Sequence, residues 1–587
     1  MPSHLSDRTT SNSANKRKGS SSSKWIDGGI VVFIFIFAAF SPHSIAVAQT
    51  AWILGMLLWV ARFAFDPRPR LQRTPLDYVL LAFFIVSGLS AVFSYAPIVS
   101  IGKMRAASLF TIVYLVAENV RSLRVARLLA LTLIASCMVN VLFTAGQMVL
   151  GRGVKLEGVK LESPLALAVF RTRRVRQPTP IIDGDTVLEV DGQRVHDPDE
   201  LAALLAGAGA AGAKTAQVKI YRFEWTPTLE VPGGHLLAGT TAQQQLGISG
   251  WTRGRDWRAT GFFSHWVTYA EVLQLIAALA LGVFLALPSK RGWVGLLLVV
   301  AVAGLLFALA LTVTRASWVG FLISASLMLL LSASRRTIVV VAACAIPVVL
   351  AGLFVLQQKR NIGFIDRSDQ STTWRETVWR EGFDLLISKP RHILVGVGMD
   401  SIKSHWREWG LFDNGRLPMG HMHSNVLQIA LERGVPALII WLLLLGLYAR
   451  MLWSLLRRTG TSYGAAKETP REFERKNKRS SLLGWIDRSE WLDRGIVLGA
   501  LGGLAGFFAS GLVHYNWGDS EVVMVFYFIM ALTLVVQRER EVAGSHLPLN
   551  TGERFSRKAR VPSRTSSVAN RDEKSSVSSA SPSSRES

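Results

Sequence analysis

The stretch WVGLLLVVAVAGLLFALALTVTRASWVGFLISASLMLLL, residues 293–331, decides the fold. It holds two apolar runs, Trp293–Val313 and Ser317–Leu331, parted only by Thr314, Arg315 and Ala316. Neither run alternates polar with apolar residues, so each reads as a helix rather than a barrel strand. A helix rising ~1.5 Å per residue needs ~20 apolar residues to cross a bilayer core. The stretch is therefore a transmembrane hairpin with a very short turn. An arginine in such a turn lies at the membrane interface, where it snorkels, pairs or serves a site.

Outward from this hairpin the pattern repeats. Apolar runs at Ile26–Phe40, Ile45–Phe65, Tyr78–Ala96, Ala106–Ala117 and Leu128–Leu150 precede a long polar gap. Val267–Leu287 leads into the hairpin, and Ile338–Leu356, Val426–Leu447, Gly495–Val513 and Val522–Val536 follow it. The expectation is an all-α polytopic membrane protein of about 12 transmembrane helices. Half of the 587 residues are hydrophobic and the net charge is +24, but the basic residues cluster in short segments flanking apolar runs. Membrane topology accounts for that placement without nucleic-acid binding. Cys137 and Cys344, the two cysteines, sit inside apolar runs and read as small buried hydrophobes.

Positive charge also orients the chain. With the N-terminus inside, Arg62–Arg73, Arg121–Arg127, Lys290–Arg291, Arg335–Arg336, the basic loop 457–494 and Arg538–Arg540 all fall on the inner side. Lys103 and Arg105 are the misfit, on what reads as a short outer loop. The expected organisation is a disordered cytoplasmic tail (1–25), helices 1–5 (26–150), an outer insert (151–257) and helices 6–9 (258–356). A large outer loop (357–425), helices 10–12 (426–536) and a second disordered cytoplasmic tail (537–587) complete it.

Within the insert, Asp183-Gly184-Asp185 and Asp191-Gly192 bracket a strand–turn–strand pattern. Asp197 then caps a helix with Leu201, Leu204 and Leu205 on one face, followed by the alternating strand Val218–Arg222. Residues 181–223 resemble the second half of a PDZ domain, giving a small PDZ-like α+β insert. The carboxylate-binding loop expected before it is not recognisable, and 154–180 reads as basic and irregular. A module that binds a periplasmic peptide or protein and a simple spacer both fit.

Three outer positions carry chemistry: Arg258 before the sixth span, Arg315 in the hairpin turn and His423 at the mouth of the tenth span. Two guanidiniums can clamp a diphosphate, and a neutral histidine can take a proton from an attacking hydroxyl. Bland alternatives are a snorkelling Arg315, a solvated basic loop around Arg258 and a helix-capping His423. His421 and His423 at i, i+2 hint at a metal, but no cysteine or carboxylate set completes a site, so no metal and no cofactor are expected.

The layout resembles the O-antigen ligase/polymerase superfamily of bacterial membrane proteins. The resemblance rests on Arg258, Gly261 and Phe263; on Thr312, Thr314, Arg315, Ala316 and Trp318; and on Trp374, Arg375 and Trp379. It continues through Gly396-Val397-Gly398 to His423, Ser424, Asn425, Leu427, Glu432 and Gly434. One departure is that Ser424 stands just after the histidine, where the family often has Asn.

The resemblance implies a metal-independent glycosyltransferase in the bacterial inner membrane, multi-pass, with both termini cytoplasmic. Its donor would be an undecaprenyl-diphosphate-linked glycan, with Arg258 and Arg315 on the diphosphate and His423 as base. Arg375, His421, Asn425 and Glu432 would support them. The acceptor would be lipid A–core, another glycan or a protein hydroxyl, and membrane lipids the remaining partners. The alternatives are a polymerase of the same superfamily and a transporter or flippase for a lipid-linked saccharide. A transporter would carry internal repeats, and none is seen.

Overall fold

The computed structural model describes residues 21–171, 176–210, 214–222, 225–255, 257–340, 343, 347, 370–417, 419–465, 486–487 and 489–545. Both expected tails in their greater part, Cys344, most of the expected ninth span Ile338–Leu356 and the middle of the basic loop 457–494 lie outside the described residues.

The protein is mostly helical. Its helices are α1 (Ser21–Phe40), α2 (Ile45–Arg62), α3 (Asp77–Val92), α4 (Pro97–Ala107), α5 (Thr111–Asn119) and α6 (Leu123–Leu150). After the insert come α9 (Trp266–Ala286), α10 (Trp293–Leu311), α11 (Arg315–Ser332) and α12 (Gln370–Ile387). The chain then forms α13 (Asn425–Arg433), α14 (Val435–Ala465), α15 (Glu490–Gly511) and α16 (Ser520–Ser545). Among the described residues, 10 helical stretches are long and apolar enough to cross a membrane, and α3 is a shorter apolar helix.

Two expectations need correction. The fourth span is not a short run beginning at Ala106. Helix begins at Pro97 and continues through a 3₁₀ turn at Ser108–Phe110 to Asn119. Lys103 and Arg105 thus lie on α4 rather than in a loop, and Lys103 Nζ pairs with Asp400 at 3.1 Å. The tenth span is two helices, because Gly434 takes φ +85 between α13 and α14 and a Cβ there would stand 2.4 Å from Leu394 O. Hydropathy merges them because α14 continues the apolar run, whereas α13 buries Gln428, Glu432 and Arg433.

Small residues set the closest packing. On α15, Gly495 and Gly499 lie against Val283 and Leu279 of α9, and a Cβ on Gly282 would meet Gly499 N at 2.3 Å. Glycine at four-residue spacing lets helix backbones approach, which is how helices associate where lipid removes the hydrophobic drive. At one end of the bundle, Arg127 of α6 binds Asp493 of α15 through two bonds of 2.7 and 2.9 Å, and Arg540 of α16 binds the same carboxylate at 2.9 Å.

The insert folds as a mixed unit between α6 and α9. Its strands are β1 (Arg152–Glu157), β2 (Val169–Arg171), β3 (Arg176–Pro178), β4 (Thr186–Val190), β5 (Gln193–Arg194), β6 (Thr215–Tyr221), β7 (Thr228–Pro232) and β8 (Gly250–Gly254). The sheet order is β3-β2-β7-β6-β4-β1-β8, with β5 paired to β4. The expected turn is present, with φ +50 at Asp191 and +80 at Gly192, the left-handed pair of a type I′ hairpin. Asp197 accepts from Glu200 N–H at 2.8 Å and caps α7 (Pro198–Ala210). Residues 154–180 are not irregular, since they supply β1, β2 and β3. Their alternation is too short to be read from sequence, and β1 and β2 are held by pairing with distant strands while β3 pairs with β2.

Candidate active site

The site lies where the α9 entry, the α10–α11 turn, the α12–α13 region and the α15–α16 connection meet. The Arg258 segment is shaped by Gly261, whose φ is +54 and where a Cβ would stand 2.1 Å from Asn140 Oδ1. Asn140 accepts from Phe262 N–H at 3.2 Å and donates to Pro42 O at 2.6 Å. Phe263 stacks on Tyr269. Arg258 is half-buried, with its guanidinium 5.2 Å from the centre of the Trp266 ring. Ala259 N–H donates to Leu311 O at 3.0 Å, which sets this segment against the turn bearing Arg315.

That turn closes on itself. Thr312 Oγ1 and Trp318 Nε1 both donate to Leu309 O, at 2.7 and 2.9 Å, and Val313 adopts φ +51. Arg315 is the first residue of α11. A cation there opposes the helix dipole, so the position suits an anion held between guanidinium and helix N-terminus better than it suits helix stability.

His423 sits at φ +47 just before α13. Met422 on its N-terminal side is fixed at both ends. Its N–H donates to Gln428 Oε1 at 2.6 Å, and its carbonyl accepts from Trp379 Nε1 at 2.8 Å. Ser424 is the α13 N-cap, which accounts for the departure noted in the sequence. Asn425 points away from the histidine, donating to Asn516 Oδ1 at 2.6 Å and accepting from Trp517 N–H at 3.0 Å. Glu432 accepts from Asp400 N–H at 2.8 Å and from the Tyr515 hydroxyl at 3.2 Å. Asn425 and Glu432 therefore pin neighbouring loops to α13.

Around His423 the rings of Trp374, His421 and His514 lie 4.4, 4.0 and 6.5 Å away, centre to centre. Burial, then the neighbouring histidines and Arg375, push His423 down to about 2. Burial and Lys403 push His421 down to about 4. Burial, then Arg375, lower His514 to about 3, with Arg258 adding to the effect. Arg375 thus adds to the positive field at His423 and His514, Arg258 adds to it at His514, and Lys403 acts on His421.

His514 escaped the sequence reading. It is buried, and its Nδ1 lies 3.1 Å from Glu271 Oε1 of α9. The available signal was Glu271, an acid inside an apolar span, which is uncommon enough to mark a functional region.

Among the described residues no three His, Cys, Asp or Glu side chains gather to hold a metal ion. Fold and site together define a polytopic membrane protein with a histidine–arginine centre at one end of its helical bundle. Residues 300–442 match the family model described as O-Antigen ligase, so this segment is similar to the O-antigen ligase-related superfamily. The matched stretch includes Arg315, Arg375, His421, His423, Asn425 and Glu432, while Arg258 precedes it. No curated protein matches the chain.

Proposed function

We propose that this chain is a glycosyltransferase that moves a glycan from undecaprenyl diphosphate to an acceptor hydroxyl, and that its centre faces the periplasm across the inner membrane. Arg258 and Arg315 hold the diphosphate, with Arg375 beside them. His423 takes the proton as the acceptor oxygen attacks the anomeric carbon. The bond from that carbon to the diphosphate breaks, and the arginines stabilise the charge left on the leaving group. The observation that carries the reading is a half-buried His423 packed against Trp374, His421 and His514, with Arg375 near enough to lower its pKa.

The same field explains timing. Burial chiefly, and then nearby positive charge, makes His423 a weak base, and a bound diphosphate cancels part of that charge and raises its basicity. The base is then competent chiefly when donor is present. On this reading residues 357–425 form the catalytic loop and both termini are cytoplasmic, as the positive charges indicate.

The test is turnover of a lipid-linked oligosaccharide by purified His423→Ala and Arg315→Ala proteins. We expect a fall of at least ~100-fold for His423→Ala, with Arg315→Ala also weakening donor binding. Wild-type turnover by both variants at normal expression would sink the mechanism. Surface polysaccharide of a deletion strain separates the subtypes. Lipid-linked polymer accumulating without long chains on lipid A–core means ligase, and single repeats capping the core mean polymerase.

A further inference from the structure

A cavity opens beside the histidines. It has a volume of ≈380 Å³, within the ~300–1,000 Å³ typical of small-molecule sites. His421 forms part of its wall and so connects it to His423, whose ring lies 4.0 Å from its own. Opposite stand α4, through Lys103 and Ala107, and the start of α16, through Glu521.

The lining is neither a cation site nor an anion site. Asp400, Glu432, Asp519 and Glu521 supply four acidic side chains, beside three cations from Lys103, Lys403 and Arg433. Two of those cations are already engaged, since Lys103 and Lys403 both bind Asp400, at 3.1 and 2.9 Å. Arg433 differs. It is 6% exposed, and its Nε and Nη1 have no hydrogen-bond partner among the described residues. Its guanidinium lies 5.6 Å from the centre of the Phe83 ring, a second lining residue. Buried donors without acceptors are costly, and a ligand oxygen at this position would satisfy them.

A ligand here must accept from Arg433 and donate to carboxylates, and aromatic faces at Trp517 and Tyr527 line the same cavity. Hydroxyl groups do both. A phosphate or uronate would meet acidic side chains with little free positive charge to offset them, since Lys103 and Lys403 are engaged by Asp400. We infer that this cavity is the acceptor subsite and that it takes an uncharged, polyhydroxylated sugar, presenting a hydroxyl past His421 to His423. The inference rests on the reading of His423 as the base for an acceptor hydroxyl.

The test is saturation-transfer NMR on the full chain in detergent, with maltotriose, triacetylchitotriose, trigalacturonate and glucose 6-phosphate as probes. Binding of undecaprenyl diphosphate is measured alongside. At least one neutral probe should bind, and both charged ones should not. Ala107→Phe, which fills the cavity without touching its charges, should abolish the neutral signal, and Glu521→Gln should weaken it about tenfold, with donor binding unchanged in both. Preference for a charged probe, silence from both neutral probes, or full binding by the two variants would overturn the inference. Loss of donor binding in Arg315→Ala bears on the mechanism alone, so the two claims fail separately.

Discussion

On the proposed mechanism, His423 trades base strength for control. Its ordinary pKa near ~6.5 falls to about 2, chiefly through burial and then through its charged and histidine neighbours. A proton acceptor works unprotonated, and depression keeps it so through the acid range. The acid limb of kcat/KM for the donor, which reports the free enzyme, should therefore lie well below pH 6.5. The acid limb of kcat should lie higher, because bound diphosphate offsets the positive field. Equal limbs near 6.5 would contradict the depression. Stability follows the same sign. With the folded pKa below the unfolded one, the unfolded chain binds more protons below pH 6.5, so stability is full above that value and declines as pH falls toward 4 and below. Much of this centre was legible, since Arg315 stands in a short polar break between apolar runs and Arg258 and His423 stand just before spans. His514 was not, because its partner Glu271 is 243 residues away and only helix packing joins them.

At the scale of elements, breaks and seams matter more than hydropathy. The α13–α14 break at Gly434 aims Glu432 at Asp400 and Tyr515 rather than into lipid. Gly434→Ala forces a Cβ into Leu394 O in a left-handed conformation, so we expect activity to fall at least tenfold from disorder at the His423 loop, while expression persists. Turnover in detergent checks this. The α9–α15 seam is a stability element. A Cβ on Gly499 would stand 2.7 Å from Leu279 Cα, and backbone cannot yield as a flexible side chain can. Gly499→Val should cost ~1–3 kcal/mol or more, read as a lowered midpoint in thermal unfolding. Spans of continuous apolar residues could be read from sequence, because the bilayer imposes their length. The split of α13 from α14 could not, because it depends on a contact with residues 394–395 that no local pattern encodes.

Across the whole molecule, charges that orient the chain also hold it together. Arg127 reads as one of several basic residues marking the inner side, yet it is buried, and it shares the Asp493 carboxylate with Arg540 so that α6, α15 and α16 meet at one point. A guanidinium on each side of one buried acid is stable only while the acid remains. Removing it leaves Arg127, 2% exposed, without its counter-ion, and such a loss typically costs ~3–5 kcal/mol. Asp493→Ala should accordingly lower the thermal midpoint far more than Arg540→Ala, because Arg540 is part-exposed and can turn to water. Asp493→Asn should fall between them, since it keeps an acceptor for Arg127 but not the charge. This clasp lies at the opposite ends of α6, α15 and α16 from the histidine centre, so turnover per folded molecule at low temperature should match wild type in all three variants. If Asp493→Ala instead cut turnover with no change in midpoint, the clasp would be coupled to the centre rather than a fastening for the bundle.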